Sequence, residues 1–309
     1  MTSPLKLSQL RHLVAVVEAG SVREAARLLF LSQSSVTKSI QQLEQCIGAP
    51  LLQRSNQGVV ATPAGKVLIA RARAIENELR EARNDIESIL GAGGGEVRVA
   101  ASPTVATSLL PRTVLDFKRT HPLVTLQLQE GIYPDVLQAV RRGEIDFAVC
   151  LVGEWTEDET VSMEILLRDR VVPAVRSSHP IRRRPVTLAE LVAADWIIYR
   201  RGRTGRDIFE RTFEAAGIEP PRASIECSSF TCVFSLLERG DYVTLMPEQL
   251  LVDQAISRNI APVPIDATMP AWNVAAIYRT QHAMSPLCLA FLAELRQVSR
   301  RILAADRYP

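Results

Sequence analysis

The sequence predicts an α/β protein with an all-α N-terminal segment, a long helix behind it and a two-lobed remainder. Three observations predict this. Residues 7–47 carry their apolar positions at helical spacings, residues 96–302 alternate β-rich runs with helical ones, and Gly91-Ala92-Gly93-Gly94-Gly95 separates the two patterns. At 309 residues the chain is longer than one hydrophobic core usually serves, so more than one domain is expected.

Composition and charge exclude several classes. Hydrophobic residues at 47% and charged residues at 23% rule out a disordered or low-complexity chain. The net charge is +2, so nucleic-acid binding would need a local patch. Residues 1–66 supply one: seven Lys and Arg against three acids, a net +4 that leaves −2 for the remainder. No run approaches the roughly 18–20 apolar residues of a membrane span. The apolar stretch Leu13–Val17 is closed by Glu18, too short for a secretory signal. No membrane partner and a cytoplasmic location are therefore expected. Cys46, Cys150, Cys227, Cys232 and Cys288 are odd in number and scattered, which fits reduced thiols.

The first helix carries Leu7, Leu10, Leu13, Val14 and Val17 at spacings of three and four, and Gly20 stops it. Ser21 can cap a second, short helix whose inward positions are Val22, Ala25, Ala26 and Leu29. Phe30-Leu31 makes a tight connection, and Ser32 can cap a third helix that buries Val36, Ile40, Leu43 and Ile47. Gln33, Ser34, Ser35, Thr37, Lys38 and Gln41 fall on or near its outer face. A short helix, a tight turn and a polar-faced second helix form a helix-turn-helix. Hydroxyls and amides can read base edges, and Lys38 can reach guanine or phosphate. A solvated face on a small helical bundle fits the same pattern.

Two short apolar runs then flank Ser55-Asn56-Gln57-Gly58, a hairpin signal that places Arg54 near a wing tip, within reach of a phosphate or a minor groove. Thr62 caps the next helix, with Pro63 at its first position. Leu68, Ala72, Ile75, Leu79, Ala82, Ile86 and Ile89 alternate at four and three, a heptad seam that predicts a coiled-coil dimer, with a single packed helix as the alternative. The glycine run precedes a strand instead of following one, so it is a hinge and not a dinucleotide fingerprint.

Beyond Glu96 the expected order is strand 97–101, helix 104–119, strand 124–129, helix 134–142 and strand 145–151. A second unit begins with strand 171–175. It continues with helix 188–194, strand 196–199, helix 206–216, strand 223–227, helix 230–239 and strand 243–246, and helix 286–302 closes the chain. Alternation implies parallel sheets, and two such lobes leave a cleft at their strand ends.

Residues 7–67 resemble the winged helix-turn-helix of LysR-type transcriptional regulators. Leu10-Arg11, Gly20-Ser21-Val22, Ala25-Ala26, Leu31-Ser32-Gln33, Leu43-Glu44, Arg54, Gly58-Val59 and Thr62-Pro63-Ala64-Gly65 carry the resemblance. Ser34-Ser35 stands where the family commonly has Pro-Ala, and Leu51-Leu52-Gln53 where an aromatic is common. Glu130-Gly131-Ile132-Tyr133-Pro134 and Glu226-Cys227-Ser228-Ser229-Phe230 are similar to the branch holding the galactose-binding-protein and toluenesulfonate-operon regulators. The resemblance implies a DNA-binding domain over 1–66, a dimerising linker helix and hinge over 67–95, and an effector domain over 96–309. That effector domain would be two-lobed and periplasmic-binding-protein-like, lobe I being 96–168 plus 270–309 and lobe II 169–269. It also implies a homotetramer on an operator in double-stranded DNA, with RNA polymerase as a further partner. Ser32, Gln33, Ser34, Ser35, Thr37, Lys38, Gln41 and Arg54 would meet the DNA.

The effector, an anionic or sugar-like small molecule, would sit among segments at strand ends. In the first lobe these are Ser102, Pro103, Thr104, Gly131, Ile132, Tyr133 and Cys150. In the second they are Arg200, Arg201, Gly202, Ser228, Ser229 and Phe230. One of the arginines between 200 and 206 could pair with an anion, or all could face water. Tyr133 or Phe230 could stack a ring or belong to the core. No catalytic motif, metal-spaced cluster or cofactor signature is present, so no enzyme, metal or cofactor is expected. A redox pair at Cys227 and Cys232, or a solute sensor that does not bind DNA, are the alternatives.

Overall fold

The computed structural model describes residues 5–55, 58–89, 94–153, 158–200, 204–252, 259–280 and 284–305. The tip Asn56-Gln57, the hinge residues Gly91, Ala92 and Gly93, and Arg201, Gly202 and Arg203 lie outside them. The chain forms two compact units, one containing Met1–Arg83 and the other Asn84–Arg141 and Ile145–Pro309.

In the first unit, α1 (Leu7–Ala19), α2 (Val22–Leu28) and α3 (Gln33–Ile47) precede a hairpin of β1 (Leu52–Ser55) and β2 (Gly58–Ala61), and α4 (Pro63–Ile89) follows. Gly20 and Gly48 end α1 and α3 in the left-handed conformation. Ser21 and Ser32 cap α2 and α3 by accepting from the Glu24 and Ser35 N–H groups. Leu10, Leu13, Val14, Ala25, Ala26, Val36, Ile40 and Leu43 build one core, joined by Leu51, Ile69 and Ala72. Ile47 is 40% exposed, so the helical spacing of α3 overruns that core by one turn. The hairpin pairs Arg54 with Val59. Gly58 has φ +104°, and a Cβ there would stand 2.5 Å from the Gly20 carbonyl oxygen, which accepts the Val59 N–H. Only glycine lets the wing lie against the end of α1.

The second unit has two α/β lobes. The first contains β3 (Glu96–Ala101), α5 (Pro103–Thr107), α6 (Leu109–Thr120), β4 (Thr125–Glu130), α7 (Val136–Arg141) and β5 (Phe147–Val152). Then comes β6 (Val161–Arg176), a strand of 16 residues. The second lobe contains α8 (Leu188–Leu191), β7 (Asp195–Ile198), α9 (Thr204–Ala215), β8 (Ala223–Glu226), α10 (Phe230–Arg239), β9 (Tyr242–Pro247), α11 (Glu248–Val252) and β10 (Ile260–Pro262). The chain returns through β11 (Ala271–Arg279) and ends in α12 (Pro286–Ala305).

The strand order is β4-β3-β5-β11-β6-β9-β7-β8, with β10 also on β6. The sheets are mixed and not parallel throughout: β3 and β7 pair in parallel with their neighbours, while β6 pairs antiparallel with β11, β9 and β10. The reason is β11, a strand absent from the expected order of elements. Its alternation of Trp272, Val274 and Ala276 with Ala275 and Ile277 is a strand pattern, and it carries the chain back between lobes. Similarly, the expected strand 171–175 is the end of β6, whose partner changes from β11 to β9 between Arg170 and Val171. The expected helix 104–119 breaks at Ser108. Pro111 has no N–H and would clash in a helix interior, so a new helix starts two residues before it. Phe117, Phe147 and Phe291 centre one core, and Trp196, Phe209 and Phe213 another. At the start of this unit, Asn84 exchanges two hydrogen bonds with the backbone of Glu96, at 2.8 and 3.1 Å.

Candidate nucleic-acid interface and ligand cleft

On α3 the apolar stripe turns inward and leaves one polar face. Ser32, Gln33, Ser34, Ser35, Thr37, Lys38 and Gln41 are all exposed, as is Arg54 on β1. Their roles differ. The Ser32 Oγ accepts from Ser35 N at 3.1 Å and lies 3.0 and 2.7 Å from the Ser34 and Ser35 hydroxyls. Thr37 donates to the Gln33 carbonyl at 2.9 Å. Those hydroxyls help to hold the first turn, whereas the Gln33, Lys38 and Gln41 side chains project from it as long donors. Behind the face, His12 Nδ1 lies 2.7 Å from Ser39 Oγ, and partial burial holds this imidazole below the usual histidine range. The Glu44 carboxylate accepts the N–H groups of Leu51 and Leu52, at 2.7 and 3.3 Å, and so pins the wing to α3. Neither His12 nor Glu44 was among the expected site residues. Both act through backbone or hydroxyl partners distant in sequence, which spacing does not reveal.

Within the second unit a cleft of about 80 Å³ opens between the lobes. Ser102, Pro103, Thr104, Ile132 and Phe230 line it, and Gly131, Ser228 and Ser229 line its continuation with Glu130, Asp135 and Thr231. The structure thus brings eight of the expected residues together. Cys150 is a correction. Side chains alternate along β5, so Leu151 faces the cleft while Cys150 is fully buried in the core on the other side, donating to the Gly131 carbonyl. Burial pushes its thiol up to about 12. Tyr133 packs against that same core and does not line the cleft.

Of the arginines between 200 and 206, only Arg200 and Arg206 lie among the described residues, and neither lines the cleft. Arg200 is exposed and outside the lining. Arg206 is buried, donates to Glu210 at 2.6 Å and lies 3.5 Å from Glu226. Arg201 and Gly202 fall outside the described residues. Among the described residues, no Lys, Arg or His lines the cleft. Tyr199, at the end of the expected strand 196–199, does, and so do Val171, Ile208, Leu245, Met246 and Pro247, which were not anticipated. Leu245–Pro247 end β9, so the strand-end rule that singled out Ser102 would have found them. Gly205 lets α9 lie on the Tyr199 ring, where a Cβ would come within 2.6 Å. Burial raises the Tyr199 phenol above its usual range.

Beside this cleft, the Cys232 thiol is hydrogen-bonded to Cys227, and that contact raises its pKa. Among the described residues, no group of three or more His, Cys, Asp or Glu could hold a metal, and no helix is long and apolar enough to cross a membrane.

A winged helix-turn-helix with an exposed polar reading face, followed by a two-lobed α/β domain with a cleft between its lobes, points to a DNA-binding regulator with an effector domain. Residues 7–66 match the bacterial regulatory helix-turn-helix family of the lysR type, and residues 91–300 match the LysR substrate binding domain. The chain belongs to the LysR family and is a LysR-type DNA-binding transcriptional regulator. It is 28% identical over 298 residues to the transcriptional regulator GalR of Pseudomonas putida, covering 96% of this chain and 75% of that protein. It is 27% identical to GbpR of Azospirillum brasilense, over 96% of this chain and 87% of that protein. Full-length CbnR in complex with its target DNA shares the fold at a TM-score of 0.71 and 23% identity, over 96% of this chain and 100% of that one. Full-length OxyR from Pseudomonas aeruginosa does so at 0.68 and 21%, over 96% and 95%.

Proposed function

We propose that α3 enters the major groove of an operator, with Gln33 and Gln41 reading base edges. Lys38 and the serine-rich first turn, Ser32, Ser34, Ser35 and Thr37, lie along phosphates and base edges, and Arg54 touches the backbone. The observation that carries this is the division of α3 itself. Val36, Ile40 and Leu43 are buried, whereas every residue assigned to DNA is exposed. Two heads join through α4, where Ile75, Leu79 and Ile86 are 43%, 41% and 55% exposed at heptad spacing. Such a dimer would read an inverted repeat, and pairs of dimers make a tetramer.

Residues 96–309 bind a small effector in the cleft around Ser102, Thr104, Ile132 and Phe230, with no catalysed reaction and no cofactor. Effector and DNA share a coupling free energy, so each alters the affinity of the other. The protein works in the cytoplasm, with RNA polymerase as its partner at the promoter. The test is fluorescence anisotropy of a duplex from the region upstream of its own coding sequence. Binding at least 1,000-fold tighter than to an unrelated duplex, on the order expected of specific recognition, supports the reading. Equal affinity for both overturns it.

A further inference from the structure

We infer that Cys227 and Cys232 form a two-sulfur chelating site for trivalent arsenic, built on the second lobe where β8 passes into α10. The site is independent of what occupies the cleft.

The local chain brings the two thiols together. Cys227 follows β8, and its N–H donates to the Ile198 carbonyl at 3.0 Å, which ties this end of the strand to β7. Ser229 then caps α10, its hydroxyl accepting the Cys232 N–H at 3.3 Å. The Cys227 thiol donates to the Ser229 carbonyl at 3.6 Å. Both cysteines are thus tied to one residue, and their thiols hydrogen-bond to each other. Their surroundings differ. Cys227 is half-buried and packs against the core of the second lobe, whereas Cys232 is exposed. One sulfur is anchored and the other is open to an incoming reagent.

Sulfur is a soft ligand and selects soft partners. Two sulfurs already in contact suit a bent centre. Trivalent arsenic is pyramidal and holds two thiolates side by side while keeping one further substituent. A linear two-coordinate cation would have to spread them, and a tetrahedral zinc takes four ligands.

Binding moves no electrons. With an arsenoxide, two As–S bonds form, and the arsenic-bound oxygen leaves as water with the two thiol protons. Arsenic stays trivalent, so the site needs no oxidant and is distinct from a disulfide switch. The chain between the thiols is already turned through Ser229 and gives up little freedom when arsenic closes the ring. The second thiol therefore acts at a high effective concentration.

The test uses phenylarsine oxide on the reduced, full-length protein. Intact-mass spectrometry should show one phenylarsenic per chain, retained in excess mercaptoethanol and removed by dimercaptopropanol. Cys227→Ser and Cys232→Ser should each weaken binding at least about 100-fold, the loss of one arm of a chelate. Cys46→Ser should bind as the wild type does. The wild type alone gives a second reading should a variant fail to fold. Residues 223–239 form one tryptic peptide that holds both cysteines. Phenylarsine oxide should protect the two of them together from iodoacetamide. An adduct that mercaptoethanol strips off, one that survives in Cys232→Ser, or protection of only one of the two thiols overturns the inference.

Discussion

The carboxylate of Glu44, near the end of α3, accepts the Leu51 backbone N–H at 2.7 Å and so joins the reading helix to the first strand of the wing. Leu51 is fully buried, so this N–H has no water to turn to if the acceptor is lost. Glu44→Ala should cost about 1–3 kcal/mol of stability, the penalty of an orphaned buried donor. Glu44→Gln, which keeps an acceptor, should cost less. Urea melts of both variants check this, and equal losses would show that the carbonyl-like oxygen of glutamine cannot take the same place.

The apolar seam of α4 makes a second prediction. Leu79→Glu puts a charge into a contact between apolar residues, where it would be desolvated without a partner. Light scattering should show the oligomer falling to a smaller species while the far-ultraviolet spectrum keeps its helix content. An unchanged mass would mean that α4 is not the dimer contact.

Acid should loosen the head through His12. Its folded pKa lies below the ordinary 6.5 because burial disfavours the charged ring. The unfolded chain therefore takes up the proton first. The contribution to stability is complete above about pH 6.5 and is lost as pH falls through the lower folded value. Thermal melts across this window should fall more steeply for the wild type than for His12→Gln. Parallel curves would remove His12 as the cause.

The thiol pair makes a prediction of opposite sense to a redox switch. Contact with Cys227 raises the pKa of Cys232, which disfavours the reactive thiolate at this residue. Operator affinity should be unchanged by a modest excess of hydrogen peroxide. Loss of binding that dithiothreitol restores, and that Cys232→Ser abolishes, would establish a switch instead.

Most of the head was legible because its signals are local, with Ile47 the exception. Ser21, Ser32 and Thr62 cap helices a few residues away, Gly20 ends α1, and the stripe Val36, Ile40, Leu43 leaves the polar face by subtraction. The effector domain was legible as alternating elements but not as a sheet. β11 pairs with strands more than a hundred residues earlier, a relationship that alternation along the chain does not contain. The cleft failed where a single residue of phase matters. Cys150 and Leu151 are neighbours, yet strand alternation puts one in the core and the other on the cleft. Arg206 was not legible because charge near a strand end does not show which carboxylate already holds it, as Glu210 holds the Arg206 Nε.

The reading face of α3 is tested most directly by measuring operator and unrelated duplex together, over a range of salt, for the wild type, Gln33→Ala and Lys38→Ala. Gln33→Ala should lose about 1–3 kcal/mol of discrimination while its affinity for the unrelated duplex stays the same. Lys38→Ala should weaken both duplexes and reduce the salt slope by about 0.9, the loss of one phosphate contact. If discrimination and slope are unchanged in both variants, α3 does not read the DNA, and the polar face is a solvated surface.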